Sequence, residues 1–206
     1  MSGEGMRFEH RGRRPHVHAS ATVAPTAVLC GDVRVGPGCV IGFGAVLTAE
    51  DGAIELVENV IVMETAVIKA SRHAPVRIGR DVIIGPRSYL TGCTVEDEVF
   101  LATGCAIFNH AHIGKGAEVR INGVVHLKTR VPAEATVPIG WVAVGDPAQI
   151  LPPDQHEQIW AVQKPLNFPK TVFGIDRPPP GQSIMPEMVR RYAKALRTHQ
   201  EDVAVE

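Results

Sequence analysis

The sequence predicts an all-β protein, a parallel β-helix of about seven coils built from six-residue repeats and followed by C-terminal α-helices. A branched aliphatic residue recurs every six positions over residues 78–137, with a single step of five after Leu90. The fifth position of most repeats is small or branched, and the second is often Gly or Ala. A period of six fits neither an α-helix nor an alternating strand, and it is typical of coils made from three short strands.

The same period begins at Val17, so the predicted β-helix covers residues 16–146. Residues 50–55 and 71–77 interrupt it, and we interpret both segments as short loops. The aliphatic residue of each repeat is expected to point inward, while the coils stack at about 4.8 Å through backbone hydrogen bonds. A β-sandwich is the alternative, but the strands of a sandwich do not repeat at a fixed interval.

Different compositions mark the two ends of the chain. Residues 1–15 are polar and Arg-rich, which predicts a flexible N-terminal arm. Residues 147–206 form a C-terminal extension, with a short helix over about 154–162, capped by Asp154, and a Pro-rich strap over 163–184. An amphipathic helix over about 186–199 is expected to lie along the β-helix or to cap a neighbouring subunit, and the last residues to fray.

The composition indicates the cellular compartment of the protein and the kinds of partner it binds. The formal net charge is −1, which favours neither a nucleic-acid nor an anionic membrane partner, and no apolar segment reaches transmembrane length. Cys39 and Cys105 occupy the small fifth position, which indicates core thiols in a reducing, cytoplasmic protein. Apolar residues that face outward predict a homotrimer that covers them. These residues are Phe43, Phe108, Ile121 and Ile139.

The register resembles that of the γ-class carbonic anhydrases and their hexapeptide-repeat relatives over roughly residues 17–160. The segments VENVIVMETAVIKA, VRIGRDVIIGPRSYLTGCTVEDEVFLATGCAIF and IGWVAVGDPAQIL carry the resemblance. It implies a left-handed β-helix, a homotrimer and active sites in clefts between subunits. In that family, three histidines, two from one subunit and one from its neighbour, hold Zn²⁺, Fe²⁺ or Co²⁺, and the metal lowers the pKa of a bound water that attacks CO2.

The positions at which that family carries its three histidines hold Lys69, Pro86 and Thr91 in this chain. Pro86 has no ligating side chain, Thr91 is a weak neutral ligand and Lys69 is normally charged. We therefore expect no metal at these positions and no cofactor. The family's Arg-Gly-Asp segment is Thr48-Ala49-Glu50 here, and its Gln-Asp pair is Met63-Glu64.

Histidines elsewhere in the chain keep a zinc site at relocated positions as an alternative. His110, His112 and His126 lie close in sequence, and His126 follows the same column of the β-helix as Lys69 and Thr91. Hydrogen-bonded surface histidines are the simpler interpretation.

The candidate residues for the cleft are polar or ionisable. A Lys beside a carboxylate is either an acid–base pair or an ion pair, and a charged Lys69 in place of a divalent cation favours the ion pair. If the cleft is active, Lys69 and Arg87 would hold a small anionic or acyl ligand. The candidates are Lys69, Glu64, Arg87, Tyr89, Thr91 and His73.

Three classes of function remain open. The first is a metal-free γ-carbonic-anhydrase-like trimer that is inactive in CO2 hydration and acts as a scaffold or through a diverged activity. The second is an active carbonic anhydrase with relocated metal ligands. The third is an acyltransferase that uses acyl-CoA, for which His73 is the available loop histidine.

Overall fold

The computed structural model describes residues 5–205, in which short parallel strands stack as three faces of a β-helix. The strands are β1 (Met6–Glu9), β2 (His16–Val17), β3 (Thr22–Val23), β4 (Val28–Val35), β5 (Val40–Ile41), β6 (Val46–Glu58), β7 (Ile61–Val62), β8 (Val67–Ser71), β9 (Val76–Arg80), β10 (Ile83–Ile84), β11 (Tyr89–Thr91), β12 (Thr94–Val95), β13 (Phe100–Leu101), β14 (Ala106–Ile107), β15 (His112–Ile113), β16 (Glu118–Val119), β17 (Val124–Val125), β18 (Arg130–Val131), β19 (Thr136–Val137), β20 (Val142–Val144), β21 (Gln149–Leu151) and β22 (Val203–Val205).

Each coil contributes one strand to each face in turn. The first face is the seven-stranded ladder β3-β5-β7-β10-β13-β16-β19. The second face contains β8, β11, β14, β17 and β20, and the third contains β9, β12, β15 and β18. Strands β4 and β6 run around a corner and join the second face to the third. Seven stacked strands on the first face are close to the predicted number of coils, and the predicted β-helix is confirmed.

The aliphatic column fills the interior of the β-helix. Every predicted residue of the column over positions 78–137 is at most 1% exposed. Cys39 and Cys105 are fully buried free thiols, as their position in the repeat predicts. Each buried Val, Leu or Ile side chain contributes about 1.5–3 kcal/mol of transfer free energy, so this column is the main source of stability. The step of five after Leu90 coincides with a tight corner, where Gly92 has a φ of 52°.

The first interruption is not a loop, and its interpretation as one was wrong. Strand β6 continues from Val46 to Glu58, pairing first with β8 and then with β9. Asp51, with a φ of 60°, lies at the bend between the two pairings. The six-residue period is lost because this side of the coil is longer than the others. Glu50 therefore lies within strand β6, in its ladder with β8. The second interruption is a turn in which Ser71 and Ala74 form an isolated bridge.

Strands lie near both ends of the described residues, at Met6–Glu9 and Val203–Val205, where a flexible arm over 1–15 and a frayed C terminus were expected. Strand β1 pairs in parallel with β4 on one side and antiparallel with β22 on the other. The physical reason is that the first coil of a β-helix presents unpaired backbone groups, which the two terminal segments satisfy. The expectation for residues 1–4 lies outside the described residues.

Three helices follow the β-helix: α1 (His156–Gln163), α2 (Phe168–Phe173) and α3 (Met185–Leu196). Helix α1 begins after Gln155 rather than after Asp154. Helix α2 lies inside the segment predicted as an extended strap, between Asn167 and Gly174, which both have positive φ. A 3-10 turn, Arg197–Glu201, extends α3 towards β22. None of the helices in the described range 5–205 has the length and apolar character needed to cross a bilayer.

Candidate functional site

Two of the three positions that carry histidines in the related anhydrases meet in this chain. Lys69 of β8 and Thr91 of β11 are direct partners at the edge of the second face. Pro86 lies at the preceding corner, where the backbone N–H of the next residue, Arg87, donates to the carbonyl of Glu64 at 3.1 Å. One chain therefore presents Lys69 and Thr91 on one edge of the β-helix and Pro86 on another.

Lys69 is held by two polar contacts. Its Nζ lies 2.8 Å from Oε1 of Glu50, and it donates to the Tyr192 hydroxyl at 3.3 Å. Burial alone would lower the pKa of Lys69, but the hydrogen bond and the charge of Glu50, together with Tyr192, raise it above its ordinary value. Lys69 is therefore an ammonium at neutral pH, which suits an anchor for negative charge rather than a general base.

The residues at the family's metal positions do not fit a divalent metal ion. A metal ligand needs a free lone pair, whereas the Lys69 ammonium has only N–H donors, and these are directed at Glu50 and Tyr192. Thr91 offers a weakly ligating hydroxyl, and Pro86 offers no polar side-chain atom. The positive charge at this edge comes from the side chain itself.

A cavity of about 360 Å³ opens beside Lys69, and we call it the aromatic cavity. The chain has two Tyr, six Phe and two Trp, and both tyrosines and three of the phenylalanines line this one cavity. Rings from the second face and from helices α2 and α3 surround it; Phe173 makes edge-on contacts with Phe168 and Tyr192 at 5.8 and 5.7 Å. The aromatic lining consists of Tyr89, Phe108, Phe168, Phe173 and Tyr192.

Two cations lie in the wall of the aromatic cavity, and each has a carboxylate beside it. Lys69 and Arg191 contribute two cations, and Glu50 contributes one carboxylate. Arg191 is oriented by Glu187, one turn earlier on α3, at 2.6 Å and by the carbonyl of Gly174 at 3.3 Å. A cavity with an apolar wall and a few convergent polar groups is the usual form of a small-molecule site.

The structure brings together half of the predicted cleft residues. Lys69, Tyr89 and Thr91 line the aromatic cavity. Glu64, Arg87 and His73 are exposed turn residues outside its lining. The carboxylate partner of Lys69 is accordingly Glu50 rather than Glu64.

Sequence reasoning missed Glu50 and the contribution of the C-terminal helices. Glu50 replaces the Asp of the family's Arg-Gly-Asp segment, which was a usable signal, but it fell in the presumed loop. Tyr192 lies on the apolar stripe predicted for the terminal helix, yet nothing in the stripe indicates which face of the β-helix it covers. Arg191 likewise lines the cavity only because helix α3 packs against this face of the β-helix.

The three histidines of the relocated zinc site do not converge within one chain. His112 Nε2 lies 2.7 Å from Oε1 of Glu96, while the ring of His126 lies beside Phe108. Burial lowers the pKa of His126, and burial together with Lys128 lowers that of His110. Over residues 5–205, these histidines form no group of ligand atoms at metal-binding spacing.

Comparisons with known proteins agree with this fold. A family model described as "Bacterial transferase hexapeptide (six repeats)" matches residues 14–49. The chain is 30% identical over 153 residues to γ carbonic anhydrase 1, mitochondrial, of Arabidopsis thaliana, covering 71% of this chain and 54% of that protein. It is 28% identical to γ carbonic anhydrase 2, mitochondrial, of the same plant, over 71% of this chain and 53% of that protein.

Among solved structures, the fold matches a hexapeptide transferase family protein from Anaplasma phagocytophilum. The TM-score is 0.50 at 25% identity, covering 76% of this chain and 89% of that one. The fold and the repeats define the chain as a hexapeptide-repeat protein. Within that class it is a γ-carbonic-anhydrase-like member. The chain spans about half the length of the curated relatives it matches, and since these include mitochondrial proteins, the cytoplasmic location stays a prediction.

Proposed function

We propose that this γ-carbonic-anhydrase-like protein does not hydrate CO2 at the family's site and binds a small carboxylate with an apolar body in the aromatic cavity. One observation carries the proposal: half of the chain's aromatic residues line a single cavity together with the ammonium group of Lys69, which Glu50 fixes in place. The ligand would be an acyl or aromatic acid, held by its carboxylate.

The charge and size of the cavity define this ligand class. Lys69 and Arg191 each already pair with one carboxylate, Glu50 and Glu187, so both cations are partly neutralised, which suits a monoanion better than a phosphate or a dicarboxylate. The volume of about 360 Å³ lies at the lower end of the range of small-molecule sites, which is about 300–1,000 Å³. The aromatic walls would desolvate an alkyl chain or ring, while Lys69 and Arg191 pair with the carboxylate.

A homotrimer remains part of the proposal, and one surface supports it. Val40, Ile61, Ile83 and Phe100 are successive partners on the outer side of the first face, and each is 37–42% exposed. Four apolar side chains in register on a flat face form a stripe that a second copy could cover. Phe43, Ile121 and Ile139 are exposed as predicted, whereas Phe108 is half-buried beside Tyr89.

Calorimetric titration with hexanoate, benzoate and inorganic phosphate tests the proposed ligand. The two carboxylates are expected to bind and phosphate is not. Arg191→Gln is expected to weaken carboxylate binding by about tenfold, a typical loss for one charge-assisted hydrogen bond. Arg190→Gln is the matched control, because Arg190 also pairs with Glu187 but lies outside the cavity lining.

Absence of carboxylate binding to the folded protein would contradict the proposal. Equal losses from Arg190→Gln and Arg191→Gln would also contradict it, because they would place the ligand elsewhere. Binding of acyl-CoA but of neither free acid would support the acyltransferase alternative instead.

A further inference from the structure

We infer that His10, Cys30, His199 and Asp202 form a site for one divalent transition-metal ion, Zn²⁺ by their chemistry, that joins the two ends of the chain. One ligand atom from each residue lies within 4.8 Å of the other three. We call these four residues the terminal cluster. The inference goes beyond the proposed function, because none of the four lines the aromatic cavity.

The fold brings the terminal cluster together from three distant segments. His10 follows β1, and Cys30 lies in β4 as the direct partner of Phe8. His199 lies in the 3-10 turn after α3, and Asp202 immediately precedes β22. Because β22 pairs with β1, the histidine at the end of β1 faces the aspartate at the start of β22.

Asp202 is the centre of the cluster. His10 Nδ1 donates to its Oδ1 at 2.6 Å, His199 Nδ1 to its Oδ2 at 2.7 Å, and Cys30 Sγ to Oδ2 at 3.2 Å. Sγ of Cys30 lies 3.9 Å from Nδ1 of His199. Zinc bonds of about 2.0–2.3 Å separate tetrahedral ligand atoms by roughly 3.3–3.8 Å, so small side-chain shifts would admit the ion.

Donor chemistry selects the class of metal. Two imidazoles, a thiolate and a carboxylate suit Zn²⁺, whereas Mg²⁺ and Ca²⁺ prefer oxygen ligands alone. Four protein ligands complete a tetrahedral shell, which is typical of a structural site without an open position for substrate. His10 and Cys30 are only 3% and 5% exposed, so the ion would be shielded from water.

Two features around the cluster support a metal site. Nε2 of His199 lies 3.6 Å from Oε1 of Glu50, so a carboxylate lies near the outer nitrogen of a ligating imidazole. A groove of about 420 Å³ reaches Cys30, His199 and Asp202 from the surface, which provides a path of entry. The alternative is a purely hydrogen-bonded cluster in which Asp202 accepts from three donors.

The protonation of Cys30 separates the two interpretations. In the hydrogen-bonded cluster, the Cys30 thiol keeps its proton and donates it to Oδ2 of Asp202 at 3.2 Å. Metal binding would displace that proton to solvent and leave a thiolate, and each imidazole would bind through Nδ1 as the neutral tautomer that carries its hydrogen on Nε2. A thiolate at neutral pH is therefore the signature of the metal site.

Cobalt substitution of the full chain, purified without a histidine tag and treated with a chelator, provides the test. We expect about one Co²⁺ per chain, with intense visible bands of a tetrahedral site and a thiolate-to-cobalt charge-transfer band that Zn²⁺ abolishes. Cys30→Ala should lose the charge-transfer band, and Cys39→Ala, a buried core thiol outside the cluster, should keep it. His199→Gln should weaken binding by more than about a hundredfold, and the exposed His156→Gln should leave it unchanged.

A wild-type cobalt spectrum without a thiolate band would overturn the inference, whatever the variants do. A band that persists in Cys30→Ala, with folding verified by circular dichroism, would overturn it as well. The carboxylate titration uses the chelator-treated protein, so its result is independent of this one.

Discussion

Glu50 of β6 and Lys69 of β8 form an ion pair, 2.8 Å from Oε1 to Nζ, where the related anhydrases are expected to carry their first metal ligand. Both side chains are about one-fifth exposed, so solvent screens the pair only in part. The edge of the second face thus carries an ammonium charge, paired with a carboxylate, that is supplied by the chain itself. That charge lies beside the largest concentration of aromatic rings in the protein.

Removing one partner of this pair is expected to destabilise the protein. Lys69→Ala leaves the Glu50 carboxylate partly buried without its cation, at a cost of about 1–3 kcal/mol. Urea denaturation of Lys69→Ala, Glu50→Ala and the double variant gives the coupling energy. The exposed pair Lys115 and Glu98 is the control, where a loss below about 1 kcal/mol is expected. Coupling energies that are equal in the two pairs would contradict a special role for Lys69.

Close stacking of the coils predicts a strong effect at Gly36. A Cβ added to Gly36 would lie 1.7 Å from the carbonyl oxygen of Val57 on the next coil. Gly36→Ala is therefore expected to cost more than about 3 kcal/mol in unfolding free energy or to prevent folding. Gly140→Ala, with a φ of 68° but no heavy atom within 4 Å of the new Cβ, should cost only about 1–2 kcal/mol. A similar loss at both positions would argue against this packing of coils.

Acid stability should depend on Asp202. Burial alone would raise the pKa of Asp202, but hydrogen bonds from His10, His199 and Cys30 hold it below its ordinary value. A lowered folded-state pKa gives stability that is present above the unfolded pKa of about 3.9 and is lost as the pH falls through the folded value. In metal-free protein, Asp202→Asn should therefore be less stable than wild type at pH 6, and the difference should narrow below about pH 4.

The exposed Asp176 provides the control for this pH profile, since Asp176→Asn should change stability little at any pH. Urea midpoints collected across the acid range give the comparison. A wild-type advantage over Asp202→Asn that stays constant down to about pH 2 would rule out the lowered pKa as its source.

The apolar stripe of the first face makes a prediction about assembly. Ile83→Glu places a charge between Ile61 and Phe100, its direct neighbours on this face, and should dissociate the proposed trimer. Light scattering should give the mass of three chains for wild type and of one chain for the variant. Arg130→Glu on the third face should remain trimeric. A monomeric wild type, or an Ile83→Glu protein of unchanged mass, would exclude this face as the contact.

Much of the fold could be predicted because its signal is local and periodic. One aliphatic residue in six directly determines which side chains enter the core, so the residues from Ile78 to Val137 and the thiols Cys39 and Cys105 were identified correctly. The period carries no information where the coil lengthens, and the strand around Glu50 was mistaken for a loop. The pairing of β1 with β22 was missed because it joins residues almost two hundred positions apart.

The site was predictable only where it lies on the repeats. Lys69, Tyr89 and Thr91 occupy positions fixed by the register, and all three line the aromatic cavity. Tyr192 and Arg191 reach it through the docking of α3, which depends on tertiary contacts rather than on sequence pattern. Glu64 and Arg87 were chosen because they lie on or near the segments that correspond to the family's ligand segments, but they belong to turns at another corner.

Stopped-flow CO2 hydration by the purified protein, assayed with and without added Zn²⁺, tests the central claim most directly. If Lys69 and Glu50 replace the metal of the related anhydrases, the rate should equal that of the uncatalysed reaction in both conditions, even when zinc occupies the terminal cluster. Catalysed hydration that is lost in His110→Ala or His126→Ala would contradict the account and establish a relocated metal site.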